Sequence, residues 1–116
     1  PRETFSVLNG RDTLIMAALM FGAQGAIPAS ANIAPDVCVG IYRSFVAGDL
    51  EAAKQFQARL HPIRLAMALA TGNGSIKEAM AVLGRPAGPN RSPVAPLTDE
   101  KRSKLKDILT RAGVTE

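Results

Sequence analysis

Two strand-like segments lie within the first thirty residues, and two strands are too few to complete a sheet. Residues 4–8 alternate and carry β-branched and aromatic side chains, which predicts a short strand ending at Asn9-Gly10. Residues 25–29 predict a second strand, and the apolar run 14–21 between them predicts a helix buried on more than one face. This spacing is typical of a parallel βαβ unit. Because a lone parallel pair would leave edges and an apolar helix exposed, we expect a larger barrel or sheet around it.

The chain after Asn32 is predicted to be helical. Pro35 suits a first helical turn, Pro62 interrupts a later helix, and residues 86–96 contain four prolines, which predicts an extended loop. The predicted caps and ends of the helices, in chain order, are Asp12 or Thr13, Gly22, Gly48, Asp49, Ser75, Gly84, Thr98 and Gly113.

Composition narrows the classes of function. A single cysteine, Cys38, and a single histidine, His61, cannot build a disulfide or a Cys/His zinc site, so we expect no metal and a reducing, cytoplasmic setting. No apolar run approaches the roughly 20 residues that span a bilayer, so we expect no membrane partner. His61 precedes Pro62 without a triad or metal-ligand pattern, which favours a structural role.

The net charge of +4 leaves one alternative open, a basic helical module that binds nucleic acid. Its cations cluster near the carboxyl end, at Lys101, Arg102, Lys104, Lys106 and Arg111. No stacking aromatics accompany them and acidic residues interrupt them, so we expect no nucleic-acid partner. Catalysis through Cys38 is less favoured still, because a free cysteine in an apolar run usually packs as a small hydrophobe.

Several motifs occur in an order that resembles one enzyme family. Residues 5–12, FSVLNGRD, have the form of an apolar strand followed by a small residue, Gly, any residue and Asp. Residues 21–35, FGAQGAIPASANIAP, resemble a second strand and its exit, and residues 48–53 resemble a helix junction. Residues 76–80 and 91–93 resemble further motifs of the same family, in the same order. Together they resemble the dihydrodipicolinate synthase and N-acetylneuraminate lyase family.

The resemblance implies an α/β fold, namely the last two strands of an eight-stranded TIM barrel followed by a small helical domain. Residues 1–48 would end the barrel and residues 49–116 would form the helical domain. The family's enzymes, which are lyases, aldolases, synthases and dehydratases, join a lysine to pyruvate or a 2-keto-3-deoxy acid as a Schiff base. That lysine would precede Pro1, so we expect no catalytic residue here, an inactive isolated chain, no cofactor, and a dimeric or tetrameric whole protein that includes the remaining barrel.

The resemblance also implies a substrate-binding wall at the ends of the two strands. Gly10 would let the substrate approach the backbone, and the Ile27 carbonyl would face the bound pyruvyl group. Arg11 would offer a donor to a second carboxylate. Asp12 and Thr13 fall where sugar-acid lyases bind substrate hydroxyls, which favours a hydroxylated sugar acid over aspartate semialdehyde. From the residues alone, a plain turn at Gly10, a solvated Arg11 and a helix cap at Asp12 remain open.

Overall fold

The computed structural model describes residues 5–71 and 73–115. The strands are β1 (Leu8–Asn9) and β2 (Gly25–Ala26), and the helices are α1 (Ile15–Met20), α2 (Pro35–Val46), α3 (Leu50–Ala66), α4 (Gly74–Val82) and α5 (Asp99–Arg111). The chain divides into two compact units, Pro1–His61 and Pro62–Glu116, with the boundary inside α3. The boundary after residue 48 concerns the domains of a whole barrel protein and stays a prediction.

The strand-helix-strand unit is present, and its strands are parallel. Leu8 lies opposite Gly25, and Asn9 lies opposite Ala26. Both strands are shorter than predicted. Within the described residues, each strand has a pairing partner on one edge and none on the other. Thr4, the predicted start of the first strand, lies outside those residues. β2 ends early because Pro28 has no N–H to donate and a 3-10 turn follows at once.

The start of α1 differs from the prediction. A 3-10 turn, Asp12–Leu14, precedes α1, and the cap position belongs to Arg11 without a side-chain cap bond. Asp12 is therefore not the cap, because its carboxylate is hydrogen-bonded to Ser30 instead. Gly22 ends the segment with a φ of 91°, as predicted. α1 buries a single stripe, Ile15 and Leu19, and leaves Met20 exposed, so the wider burial predicted for it is not seen in this chain.

α2 and α3 supply the rest of the first unit's core. The α2 side chains Val37 and Ile41 are buried, as is Ala53 of α3. A Cβ at Gly40 would lie 2.7 Å from the ring of Phe56, so a glycine there lets the two helices approach closely. Asp49 caps α3 as predicted, accepting the Ala52 N–H at 2.9 Å. α3 continues through Pro62 to Ala66.

The second unit packs α4 and α5 together. Leu105 and Leu109 of α5 are almost fully buried and form the apolar stripe of this helix. Thr98 caps α5 as predicted, accepting the Lys101 N–H at 3.4 Å. The cap predicted for Ser75 is wrong. Asn73 holds that position, and Ser75 lies within the first turn of α4, where its side chain is buried.

Candidate functional site

The carboxyl ends of β1 and β2 lie side by side because the strands are parallel. The Ile27 N–H donates to the Asn9 carbonyl at 2.9 Å, so pairing continues one residue past β2. In parallel α/β folds, ligands gather at the carboxyl ends of the strands. The turns that leave β1 and β2 therefore form the candidate site, and these turns contain all five of the predicted substrate-binding residues.

Asn9 shapes the turn that leaves β1. Its side-chain oxygen accepts the Arg11 N–H at 3.2 Å, and its amide donates to the Arg11 carbonyl at 2.7 Å. These bonds fix the backbone of the turn while the Arg11 side chain stays exposed. A Cβ at Gly10 would meet no atom within 4 Å, so the space before its backbone is open in this chain. Thr13 is half-buried beside it.

The turn that leaves β2 presents Ile27. Its side chain is 70% exposed, although the residue is held by its N–H bond to β1. Pro28 adopts an extended backbone, with φ −78° and ψ 138°, and the following 3-10 turn spans Ala29–Asn32. The Asn32 amide closes this turn by donating to the Ala29 carbonyl at 3.0 Å. Pro28 thus aims the chain from the strand into a short, braced turn.

A buried contact joins the two exit turns. The Asp12 carboxylate oxygen Oδ2 accepts the Ser30 N–H at 2.9 Å and also the Ser30 hydroxyl. Asp12 is 2% exposed and Ser30 is 0% exposed. A buried carboxylate is tolerated only when donors compensate for its lost hydration, so this contact defines the distance between the turns.

Gln57 of α3 extends the same contact. Its amide donates to the Asp12 carbonyl at 2.9 Å, and its oxygen accepts the Met16 N–H at 3.0 Å. Sequence reasoning missed both Gln57 and Ser30. A signal for Gln57 existed, because it lies four residues after Ala53 and three before Leu60, on the stripe of α3 that is buried. A polar side chain at a core position needs partners, and these backbone groups are its partners.

With these two turns in place, comparison with known proteins decides the family. The model of the dihydrodipicolinate synthetase family matches residues 1–112. The chain belongs to the dihydrodipicolinate synthetase family. The resemblance carried by the strand-exit motifs is thereby confirmed.

Relatives within this family match only part of their own length. A 4-hydroxy-tetrahydrodipicolinate synthase of Methanothrix thermoacetophila is 39% identical over 109 residues, which cover 94% of this chain and 37% of the relative. An uncharacterised DapA-like lyase of Halobacterium salinarum is 35% identical over 114 residues, again 37% of its length. The chain thus spans well under half of the relatives that it matches.

Solved structures of the family give the same picture. A monomeric dihydrodipicolinate synthase variant superposes with a TM-score of 0.91 at 25% identity, over 98% of this chain and 38% of the other. A prophage protein of the family from E. coli, solved with pyruvate, superposes with a TM-score of 0.90 at 31% identity, over 98% and 39%. An N-acetylneuraminate lyase of Proteus mirabilis, at 24% identity and a TM-score of 0.83, shares the fold.

The lysines of this family member lie on helices, away from the two exit turns in sequence. Lys54 of α3 is exposed and lies 3.7 Å from Glu51. Lys77 of α4 donates to the Pro89 carbonyl at 3.0 Å. The three lysines of α5 are exposed. A Schiff-base lysine needs a desolvated pocket, whereas Lys54 and the lysines of α5 are exposed and half-buried Lys77 is bonded to a backbone carbonyl.

The remaining candidates of the sequence analysis fall outside the exit turns. His61 is exposed on α3. Cys38 is buried, and burial, together with the charge of Asp12, raises the pKa of its thiol to about 11, which disfavours the reactive thiolate. Over residues 5–71 and 73–115, no group of three or more His, Cys, Asp or Glu side chains is placed to hold a metal ion.

The basic cluster of α5 is partly neutralised. Arg102 pairs with Glu78 and Asp99, and Arg111 pairs with Asp107. These pairs leave less positive charge for a polyanion than the sequence indicates. Among the described residues, no helix is both long enough and apolar enough to cross a bilayer.

Proposed function

We propose that the whole protein is a lyase of the Schiff-base type, an aldolase, synthase or dehydratase that acts on pyruvate or a 2-keto-3-deoxy acid. The observation that carries this proposal is the family match over residues 1–112, in a chain whose two strand exits lie side by side. The pyruvate in the similar E. coli prophage protein supports the substrate class. The reactive lysine belongs to the part of the protein outside this chain.

The chemistry explains why an amine is needed. The neutral lysine amine attacks the ketone carbon of the 2-keto acid, and water leaves as the C=N bond forms. The protonated imine then accepts the electron pair released when an adjacent C–C or C–H bond breaks. The resulting enamine gives the pair back to an electrophile or a proton, and water releases the product and the lysine. No cofactor is required for these steps.

The fold proposed for the whole protein is a TIM barrel in which β1 and β2 are the seventh and eighth strands. Residues 1–48 end the barrel and residues 49–116 form the helical domain. The superposition on 38% of a dihydrodipicolinate synthase variant supports this arrangement. So do the exposed apolar side chains around the strand pair, such as Leu8 at 51% and Val39 at 43%, which six further strands and their helices would cover.

The exposed groups of the exit turns are proposed to meet the substrate. Gly10 gives open access to the backbone, the Ile27 carbonyl faces the pyruvyl group, and Arg11 and Thr13 offer donors to the rest of the molecule. Asp12 is different, because its 2% exposure leaves almost no surface for a substrate hydroxyl. We assign it to the wall of the site, where it acts through Ser30.

These roles bear on whether the substrate is a hydroxylated sugar acid or aspartate semialdehyde. Without Asp12 as a direct ligand, the preference for a hydroxylated sugar acid rests on Arg11 and Thr13. The whole protein should therefore be assayed for cleavage or dehydration of 2-keto-3-deoxy sugar acids against condensation of pyruvate with aspartate semialdehyde. Faster turnover of the sugar acids supports the hydroxylated class, and faster condensation assigns the site to the semialdehyde.

One experiment tests the lyase proposal directly. The whole protein is mixed with pyruvate and borohydride, which reduces an imine to a stable amine, and is then weighed by mass spectrometry. We expect one covalent adduct per chain, on a lysine outside residues 1–116. Absence of an adduct would refute the proposal, and a stoichiometric adduct on Lys54 or Lys77 would refute the placement of the lysine.

We also propose a cytoplasmic homo-oligomer, a dimer or tetramer. The buried free thiol of Cys38 suits a reducing compartment. Met20, the last residue of α1, and Phe21, which follows it, are 62% and 94% exposed and form an apolar corner of the kind that subunit contacts cover. Sedimentation of the whole protein checks the assembly, and a monomer at micromolar concentration would contradict it.

A further inference from the structure

We propose that Ser30 and Gln57 are positioning residues, which hold the two exit turns in their working geometry through Asp12. This inference rests on the proposed function and extends it to two residues that do not touch the substrate. The contacts that carry it are the two Ser30 bonds to the Asp12 carboxylate and the Gln57 bond to the Asp12 carbonyl.

The burial of this network holds for the whole protein as well as for the chain. Asp12, Ser30 and Gln57 are 2%, 0% and 8% exposed, although the chain spans only 37% of its relatives' length. Additional chain packed around the same geometry can only remove surface. The three groups are therefore closed to substrate, and their bonds serve the protein itself.

Ser30 is the point at which the β2 turn is fixed. Its N–H and hydroxyl both donate to Asp12, and its carbonyl accepts the N–H groups of Ile33 at 2.9 Å and Ala34 at 2.8 Å. Ser30 lies three residues after Ile27. A shift of Ser30 is therefore passed over a short, braced backbone to the Ile27 carbonyl.

Gln57 fixes the β1 turn in the same way. Its amide holds the Asp12 carbonyl at 2.9 Å, and its oxygen holds the Met16 N–H at 3.0 Å, so α3 sets where the turn meets α1. The network thereby connects α3 with both exit turns. Misplacement of reacting groups by about 1 Å can reduce rates by about a hundredfold, so loss of a positioning bond should appear in turnover.

The test uses the whole protein and pyruvate alone. Borohydride trapping counts the sites that form the imine. In D₂O, the imine loses a proton from the pyruvate methyl group to a base and regains a deuteron, so exchange measured by NMR reports turnover. Dividing the exchange rate by the number of trapped sites corrects for any loss of folded protein. A residue with a merely structural role lowers the number of sites and leaves the rate per site unchanged.

We expect Ser30→Ala and Gln57→Leu to lower exchange per trapped site by about 10- to 100-fold. Ser30→Thr, which keeps the hydroxyl, should stay within about threefold of wild type. The matched controls are Ser75→Ala and Gln55→Leu, which should stay within about twofold. Ser75 is a buried serine whose hydroxyl has no hydrogen-bond partner among the described residues, and Gln55 is an exposed glutamine of α3.

Three outcomes would overturn the inference: wild-type exchange per site in Ser30→Ala, equal impairment of Ser30→Ala and Ser30→Thr, or equal impairment of Ser75→Ala. Should Ser30→Ala or Gln57→Leu not fold, Gln57→Glu decides. It keeps the oxygen that accepts the Met16 N–H and loses the donor to Asp12. A fall of at least fivefold per site supports positioning, and a wild-type rate refutes it. No adduct in the wild type would instead refute the lyase proposal.

Discussion

The two units of the chain treat their apolar side chains differently. In the second unit, Leu105 and Leu109 are buried where α4 meets α5, and Leu65 is its one large hydrophobic residue that is exposed among those described. In the first unit, large apolar side chains remain exposed on β1, directly after β2, and on α1 and α2. The most exposed are Phe21 at 94% and Phe5 and Ile27, each at 70%.

Polar groups show the opposite distribution. The first unit buries Asp12, Ser30 and Gln57 in one hydrogen-bonded network, whereas the ion pairs of the second unit are exposed or only half-buried. A buried polar network costs desolvation and fixes geometry, while a surface ion pair adds little of either. The first unit therefore combines a buried polar network at the exit turns with an exposed apolar surface, whereas the second unit buries an apolar core of its own.

The largest expected effect concerns the chain made without the rest of the protein. The exposed apolar surface of the first unit should drive self-association, because each Å² left wet forgoes about 25 cal/mol of burial. We expect the isolated chain to be insoluble or to sediment as large species. Phe21→Ser should reduce this association more than Leu65→Ser, the matched change in the second unit. A monomer with a sharp cooperative melt would show that the first unit needs no further packing partner, and it would contradict the barrel proposal.

The second effect tests whether the second unit's core is complete. Leu109 is 0% exposed, so Leu109→Ala should lower the free energy of unfolding of the whole protein by about 2–5 kcal/mol through lost burial and a cavity. Leu65, which is 67% exposed, is the control, and Leu65→Ala should change the free energy of unfolding by less than about 0.5 kcal/mol. Denaturant titration measures both, and similar losses would show that Leu65 is covered in the whole protein.

The limits of sequence reasoning follow from the same comparison. Thr98, Asp49 and Gly22 were predicted correctly because caps and left-handed glycines depend on their immediate neighbours. Asp12 was wrong as a cap because a tertiary contact overrode the local pattern, and Ser75 was wrong because α4 begins one residue before it, at Gly74. The carboxylate of Asp12 binds a residue eighteen positions away.

The candidate site was predicted in outline only. The five wall residues came from a resemblance in the motifs, and their location at paired strand ends followed from the parallel βαβ pattern. Ser30 is one of several small residues in the motif of residues 21–35, so the sequence did not single it out. Gln57 lies 45 residues beyond Asp12, and no local pattern encodes a pairing over that separation.

The third effect is a pH dependence within the first unit. The thiol of Cys38 has a pKa raised from 9.0 to about 11, so the folded state binds this proton more tightly than the unfolded state. Its contribution to stability is full below about pH 9 and is lost as the pH rises towards 11. At pH 8, the thiolate fraction of Cys38 is about a hundredfold lower in the folded protein. The folded protein should therefore react about a hundredfold more slowly than unfolded protein with a reagent that attacks thiolates. Asp12→Asn removes a charge that raises this pKa, so it should reduce the difference between the folded and unfolded rates. Equal rates in the unmodified protein would show that the thiol is accessible to solvent when folded.

The smallest effect concerns the surface of the second unit. Arg102 donates to both oxygens of Glu78, at 3.0 and 3.2 Å, a bidentate geometry that raises the pKa of the guanidinium. Arg111 makes a single bond to Asp107 within one helix, and its side chain is 80% exposed. Because the first pair joins α5 to α4 and the second joins α5 to itself, Arg102→Gln should lower the Tm more than Arg111→Gln.

Salt sharpens this last test. Exposed charges are screened within about 8 Å at physiological ionic strength, so added salt should diminish both shifts and should diminish the Arg111 shift first. Glu78→Gln should reproduce most of the Arg102→Gln shift, since both changes remove the Arg102–Glu78 pair and Arg102→Gln also removes the pair with exposed Asp99. Equal shifts for Arg102→Gln and Arg111→Gln in thermal melts of the whole protein would show that the Arg102 pair adds nothing to the α4–α5 contact. The second unit would then rest on its apolar core alone.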